Sequence, residues 1–125
     1  MLRATNFEMA GDFMEAYGQE IPLFPTWPSD DTLRLRVALI EEELQELRDA
    51  IKDRDMIEVA DALTDILYVV YGAGQAFGIE LDECYNEVHR SNMTKLGEDG
   101  RPIKDTDGKV MKGPNYEPPN LEQFL

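Results

Sequence analysis

Apolar residues recur along this chain at helical spacing, and no stretch alternates with the period of a strand. Phe7, Ala10, Met14 and Tyr17 form one stripe and predict a first helix over about Asn6 to Tyr17. Thr5 and Glu8 have the spacing of a capping box, and Gly18 suits the C-terminal cap. A Pro-rich connection, Ile21 to Pro28, carries Phe24 and Trp27. Ser29 then caps a second helix, whose dipole Asp30 and Asp31 favour and which runs to about Lys52. Its stripe is Leu33, Val37, Ile40, Leu44, Leu47 and Ile51, read as a core face. A short turn around Asp53 leads into a third, mostly apolar helix from Met56 to Phe77, closed by Gly78. A fourth spans about Leu81 to Lys95, and its stripe of Leu81, Tyr85 and Val88 turns polar at Asn92 and Lys95. The remainder is rich in turn dipeptides, with a small hairpin predicted near Ile103 to Met111 and with Phe124 and Leu125 as anchors for its end.

The pattern predicts an all-α fold: an antiparallel bundle of about four helices followed by an irregular tail. At 125 residues the chain reads as one domain, with a helical core over about 5–96 and a tail over 97–125. Besides the aliphatic stripe, the second helix has a face with Leu39, Glu43, Glu46 and Ala50. One partner helix cannot cover both faces, so completion of the bundle by a homodimer or homotetramer is expected.

No apolar run reaches the length of a membrane span, and no basic-then-apolar leader is visible at the N-terminus. A single cysteine, Cys84, excludes an internal disulfide and suits the cytoplasm. The formal net charge of -14 argues against nucleic acid and anionic membranes as partners. It leaves room for a phosphate ligand that arrives with a cation. Six of the twelve basic residues (Arg90, Lys95, Arg101, Lys104, Lys109 and Lys112) lie between positions 90 and 112, either as a solvated tail or as an anion-facing segment.

The chemistry concentrates in two acidic groups. Glu58, Asp61 and Asp65 share one stripe of the apolar third helix, where unpaired carboxylates are costly. Glu42, Glu43 and Glu46 lie on the second helix. In an antiparallel hairpin turning near Asp53, Glu46 falls level with Asp61, and Glu42 and Glu43 level with Asp65 and Thr64. Facing oxygen donors suit magnesium, manganese or calcium. Zinc and iron sites recruit His or Cys, and only His89 and Cys84 are available. Glu-x-x-His pairing fails, because the residue three before His89 is Asn86. Arg34, Arg36 or Arg48 offers a purely structural way to neutralise part of the charge.

The motif Glu42-Glu43-Leu44-Gln45-Glu46 followed by Glu58-Val59-Ala60-Asp61 resembles that of the all-α nucleoside triphosphate pyrophosphohydrolases: MazG-like proteins, phosphoribosyl-ATP pyrophosphohydrolases and dimeric dUTPases. The likeness covers helices two to four. It implies metal-dependent hydrolysis of a nucleoside triphosphate to the monophosphate and pyrophosphate. Glu43, Glu46, Glu58 and Asp61 would hold Mg²⁺, with Mn²⁺ as a substitute. Glu42 and Asp65 would lie behind them or hold a second ion. Glu46, beside Glu43, is the favoured proton acceptor. Asn92 and Lys95, with Arg90 as helper, would contact phosphate. The short interval between Glu46 and Glu58, the extra acid Asp65 and the tail depart from the MazG-like pattern.

Lys109 and Lys112 lie in a Gly-flanked segment, Gly108 to Gly113, that either folds over phosphates or stays in solvent. Trp27 either stacks on a base or packs at a subunit interface. Two further functions fit the same residues: a non-catalytic helical interaction module with a structural cation site, and a phosphoribosyl-ATP hydrolase, to which the tail and Pro-rich entry are less suited.

Overall fold

The structure, a computed structural model, describes residues 3–125. It contains four helices: α1 (Asn6–Ala16), α2 (Asp30–Lys52), α3 (Met56–Phe77) and α4 (Leu81–Met93). A two-stranded ladder, β1 (Ile103–Lys104) and β2 (Val110–Met111), and a 3₁₀ turn (Glu122–Phe124) follow. The all-α expectation holds, and the hairpin forms with Ile103 opposite Met111. Among the described residues, no helix is long and apolar enough to cross a membrane. The chain divides into two compact units between Leu81 and Asp82.

In the first unit, α1 and α2 each pack on α3. The N-caps of α1 and α2 are those the sequence signals. Thr5 and Glu8 complete a capping box, with the Glu8 N–H donating to Thr5 Oγ1 at 3.1 Å and the Thr5 N–H to Glu8 Oε1 at 2.9 Å. Ser29 Oγ accepts from the Thr32 N–H. Asp55 Oδ1 accepts from the N–H groups of Ile57 and Glu58, which starts α3 straight after the turn. The buried apolar side chains are Phe7, Ala10, Met14, Ala50, Ala62 and Ala76, largely small ones on the seams between helices. Phe7 meets Tyr71 edge-on at 6.3 Å, and Phe13 meets Tyr68 at 5.7 Å.

Two expectations need correction. Tyr17 does not extend the buried stripe of α1; it is the C-cap residue, exposed, with its ring against Phe13. The aliphatic stripe of α2 is only partly covered within this chain: Leu33, Ile40 and Leu47 are half-buried, while Val37, Leu44 and Ile51 are exposed. So are Leu63, Leu67 and Val70 at matching levels of α3. The inner seam has been taken by Ala50 and Ala62, which leaves the large residues outside.

In the second unit, α4 stops at Met93, earlier than expected, and tighter turns carry the chain through Lys95. The tail is irregular but anchored. Glu87 accepts from Arg90 Nε at 2.7 Å and from the Asn120 N–H at 2.7 Å. These bonds hold its carboxyl down at about 2, with the Arg90 contact the larger cause. Arg90 Nη1 also pairs with Glu117, and Ser91 Oγ donates to the Glu117 carbonyl. The end is therefore held through Glu87, Arg90 and Ser91, while Leu125 is exposed.

Gly18 and Gly78 both adopt left-handed backbone, at φ 71° and 68°. A Cβ on Gly18 would meet nothing within 4 Å, whereas one on Gly78 would strike the Phe24 carbonyl. Gly18→Ala should therefore cost about 1 kcal/mol and Gly78→Ala roughly 2–4 kcal/mol in urea unfolding. Equal costs would show that the Phe24 approach imposes nothing.

Candidate functional site

The antiparallel pairing of α2 with α3 brings carboxylates from both helices together. Glu43 and Glu46 lie one turn apart on α2, and Asp65 faces them from α3; one oxygen from each lies within 4.8 Å of the others. Glu43 and Asp65 are half-buried and Glu46 is exposed. One oxygen of Glu43, Oε2, is buried and has no hydrogen-bond partner. An unpartnered buried acceptor among like charges is costly unless a cation completes it. The donor set, all carboxylate oxygen, fits a hard divalent ion. Among the described residues, none of the ion pairs involves these three acids.

The electrostatics agree. The Glu43 carboxyl is pushed up to about 7, first by its hydrogen bond with Glu46, which requires a proton, then by burial and by repulsion from Glu46, Asp65 and Asp61. Asp65 is also raised, by burial first and then by Asp61 and Glu46.

Beside the cluster, Glu46, Glu58 and Asp61 line an open cleft of about 270 Å³, together with Asp49, Asp53 and Asp55. The structure thus rearranges the expected set. Asp65 joins Glu43 and Glu46 in the tight group. Asp61 is its electrostatic neighbour, and Glu58 belongs to the cleft. Glu42 is exposed and outside both. The levels of the two helices dictate this: with Arg36 beside Gly72, positions 43 and 65 also come level.

Asn92 lies on the last turn of α4, and Lys95 just beyond it. Arg90, expected near phosphate, is engaged by Glu87 and Glu117. In the tail, Lys112 Nζ sits 4.8 Å from the Tyr116 ring centre, and the Lys109 N–H donates to Asp105 Oδ1. Trp27 is exposed, with its ring edge-on to Phe77 at 5.6 Å. Sequence reasoning missed Asp49, Asp53 and Asp55 as cleft residues. Their position around the α2–α3 turn was the available signal.

The sequence profile of the phosphoribosyl-ATP pyrophosphohydrolase family matches residues 10–92. The chain is 38% identical over 106 residues to an uncharacterised protein of Acanthamoeba polyphaga mimivirus, covering 80% of this chain. The match spans only 39% of the viral protein's length. A solved structure of a proposed NTP pyrophosphohydrolase from Exiguobacterium sp. 255-15 aligns with a TM-score of 0.48 at 26% identity, over 94% of this chain and 90% of that one.

Glu43 generates a pH prediction. Between its ordinary value of 4.5 and about 7, the folded chain keeps a proton that the unfolded chain has lost. Its contribution to stability is therefore lost as pH rises through that window. Glu43→Gln removes the penalty. Without divalent ions, the variant should melt with wild type at about pH 4 and above it at about pH 8. A variant that melts below wild type at the higher pH would contradict this electrostatic account.

Proposed function

This chain belongs to the phosphoribosyl-ATP pyrophosphohydrolase family, and so to the all-α NTP pyrophosphohydrolases; on that premise we propose that it hydrolyses a nucleoside triphosphate to the monophosphate and pyrophosphate at Glu43, Glu46 and Asp65. The observation that carries this reading is the facing carboxylate group with its buried, unpartnered Glu43 oxygen. A triphosphate brings about four negative charges, and in an acidic cleft repulsion forbids binding without cations. When bound, magnesium or manganese supplies charge neutralisation and Lewis acidity.

The chain's own residues do the rest. Glu43 and Asp65 would hold the ion. Glu46, the exposed member of the group, takes the proton of the attacking water. Asp61 and Glu58 extend the acidic lining of the cleft. Asn92 and Lys95 are assigned to phosphate oxygens on the strength of the family resemblance. A second copy of the chain covers the aliphatic rows Val37, Leu44, Ile51 and Leu63, Leu67, Val70, which gives a homodimer.

The test is pyrophosphate release from the ribo- and deoxyribonucleoside triphosphates and from phosphoribosyl-ATP, with and without magnesium. Turnover should require the metal. Asp65→Asn and Glu43→Gln should each lower kcat/KM by about a hundredfold or more, while the exposed Glu42→Gln stays within about threefold. Thermal stabilisation by the ion with no turnover on any member would replace the enzyme with a cation-binding interaction module. In light scattering, Leu67→Glu should halve the mass of the wild-type particle; a wild-type monomer would overturn the dimer.

A further inference from the structure

The tail does more in the second unit than close it off. Residues 113–120 run back beside the end of α4. The Gly113 N–H donates to the Lys95 carbonyl at 2.8 Å, the Glu117 N–H to Thr94 Oγ1 at 2.8 Å, and the Asn120 N–H to Glu87 at 2.7 Å. Glycine makes the first of these contacts possible. A Cβ at position 113 would lie 2.9 Å from the Lys95 carbonyl oxygen and would strike that of Leu96. The backbone of Lys112 is thereby fixed beside that of Lys95, although the two are far apart in sequence. Lysine side chains are long, and two of them rooted this close can reach one ligand.

The charges around these lysines are arranged to leave them uncompensated. Glu87 and Glu117 are engaged with Arg90. Asp99 accepts from the Arg101 N–H, and Asp105 from the N–H groups of Asp107 and Lys109. Among the described residues, none of the ion pairs includes Lys95 or Lys112. Lys95 is half-buried all the same. The Lys112 ammonium sits 4.8 Å from the centre of the Tyr116 ring, and Tyr116 is itself tied back by its N–H to the Gly113 carbonyl at 3.2 Å. A ring face steadies an ammonium without neutralising it, so its N–H donors stay available to an anion. A tail that merely floats in solvent has no use for a lysine fixed in this way. Asn92, whose carbonyl accepts from the Lys95 N–H at 3.2 Å, adds an amide to the same turn. Two ammonium groups and an amide match the several oxygens of a polyphosphate chain.

Resting on the nucleotide reading above, we propose that Lys112, positioned by Gly113 and Tyr116, binds the substrate's polyphosphate chain together with Lys95. Lys109, the other lysine of the Gly-flanked segment, has no such role: it lies in the hairpin turn, with its N–H bonded to Asp105.

The experiment titrates the full chain with inorganic triphosphate by calorimetry, at low salt and without metal, where the acidic group repels the ligand and cationic side chains alone can hold it. Wild type should bind saturably. Lys112→Met should weaken binding by about fivefold or more. Tyr116→Leu should weaken it by about threefold, and Tyr116→Phe, which restores the ring, should recover most of that loss. Lys104→Met removes the same charge from β1 and should stay within about twofold of wild type. A nucleoside triphosphate should bind like inorganic triphosphate and lose as much in Lys112→Met. In magnesium-dependent turnover, Lys112→Met should raise KM and leave kcat within about twofold, as removal of uniform binding does. No binding by wild type, equal weakening in Lys104→Met and Lys112→Met, or nucleotide binding that ignores Lys112→Met would overturn the assignment. Lys112 is exposed, so its replacement should keep the helical circular-dichroism signal; if Tyr116→Leu does not fold, Lys112→Met against Lys104→Met decides. The outcome is separable from the hydrolase reading: Lys112-dependent binding in a chain that hydrolyses nothing keeps this subsite and removes that function, while turnover indifferent to Lys112→Met does the reverse.

Discussion

Like charges that face one another across a helix pair are the constraint on which this structure turns. Glu43, Glu46 and Asp65 are brought together by the same packing that builds the α2–α3 hairpin. Among the described residues no cation pairs with that group, and one buried oxygen is left unsatisfied. The proton that Glu43 retains to about 7 is a partial remedy, and a divalent ion is a fuller one. Helix geometry, pKa and chemistry follow from this one arrangement.

The constraint also explains the division of side chains on α2. A helix that turns its acids toward a partner through small neighbours such as Ala50 cannot also bury its large aliphatics there. Those residues face outward in two rows, one on each helix of the hairpin. The unsatisfied carboxylates and the uncovered aliphatics are thus two results of one packing choice. The first is the proposed cation site, and the second is the face proposed to meet another copy of the chain.

Much of the fold was legible because it is local. The capping residues Thr5 and Ser29, the left-handed Gly18 and Gly78 and the apolar periodicity mark the helices within a residue or two, while the Asp55 cap of α3 was read only as part of a turn. The antiparallel pairing followed from the short turn at Asp53, and it placed acids of α2 near acids of α3, one residue away from the register the turn suggests. What was not legible is non-local. Whether Glu58 or Asp65 completes the tight group depends on the register of α3 along α2, which three acids on one stripe do not fix. The burial of Arg36 depends on Gln19, Met14 and Gly72, far away in sequence, so the residue read only as one of three arginines that could neutralise the acids. The anchoring of the tail through Glu87 and Arg90 was hidden for the same reason, since Glu117 and Asn120 look like solvent-facing turn residues.

The central claim is that the facing carboxylates form a cation site whose occupancy is linked to the Glu43 proton. Calorimetric titration of the full chain with Mn²⁺, in buffers of different ionisation enthalpy, measures both at once. The account predicts binding that releases close to one proton per ion at about pH 6 and almost none at about pH 9. It also predicts that Asp65→Asn weakens binding by about tenfold or more. No binding, binding without proton release at the lower pH, or equal affinity in Asp65→Asn would contradict it.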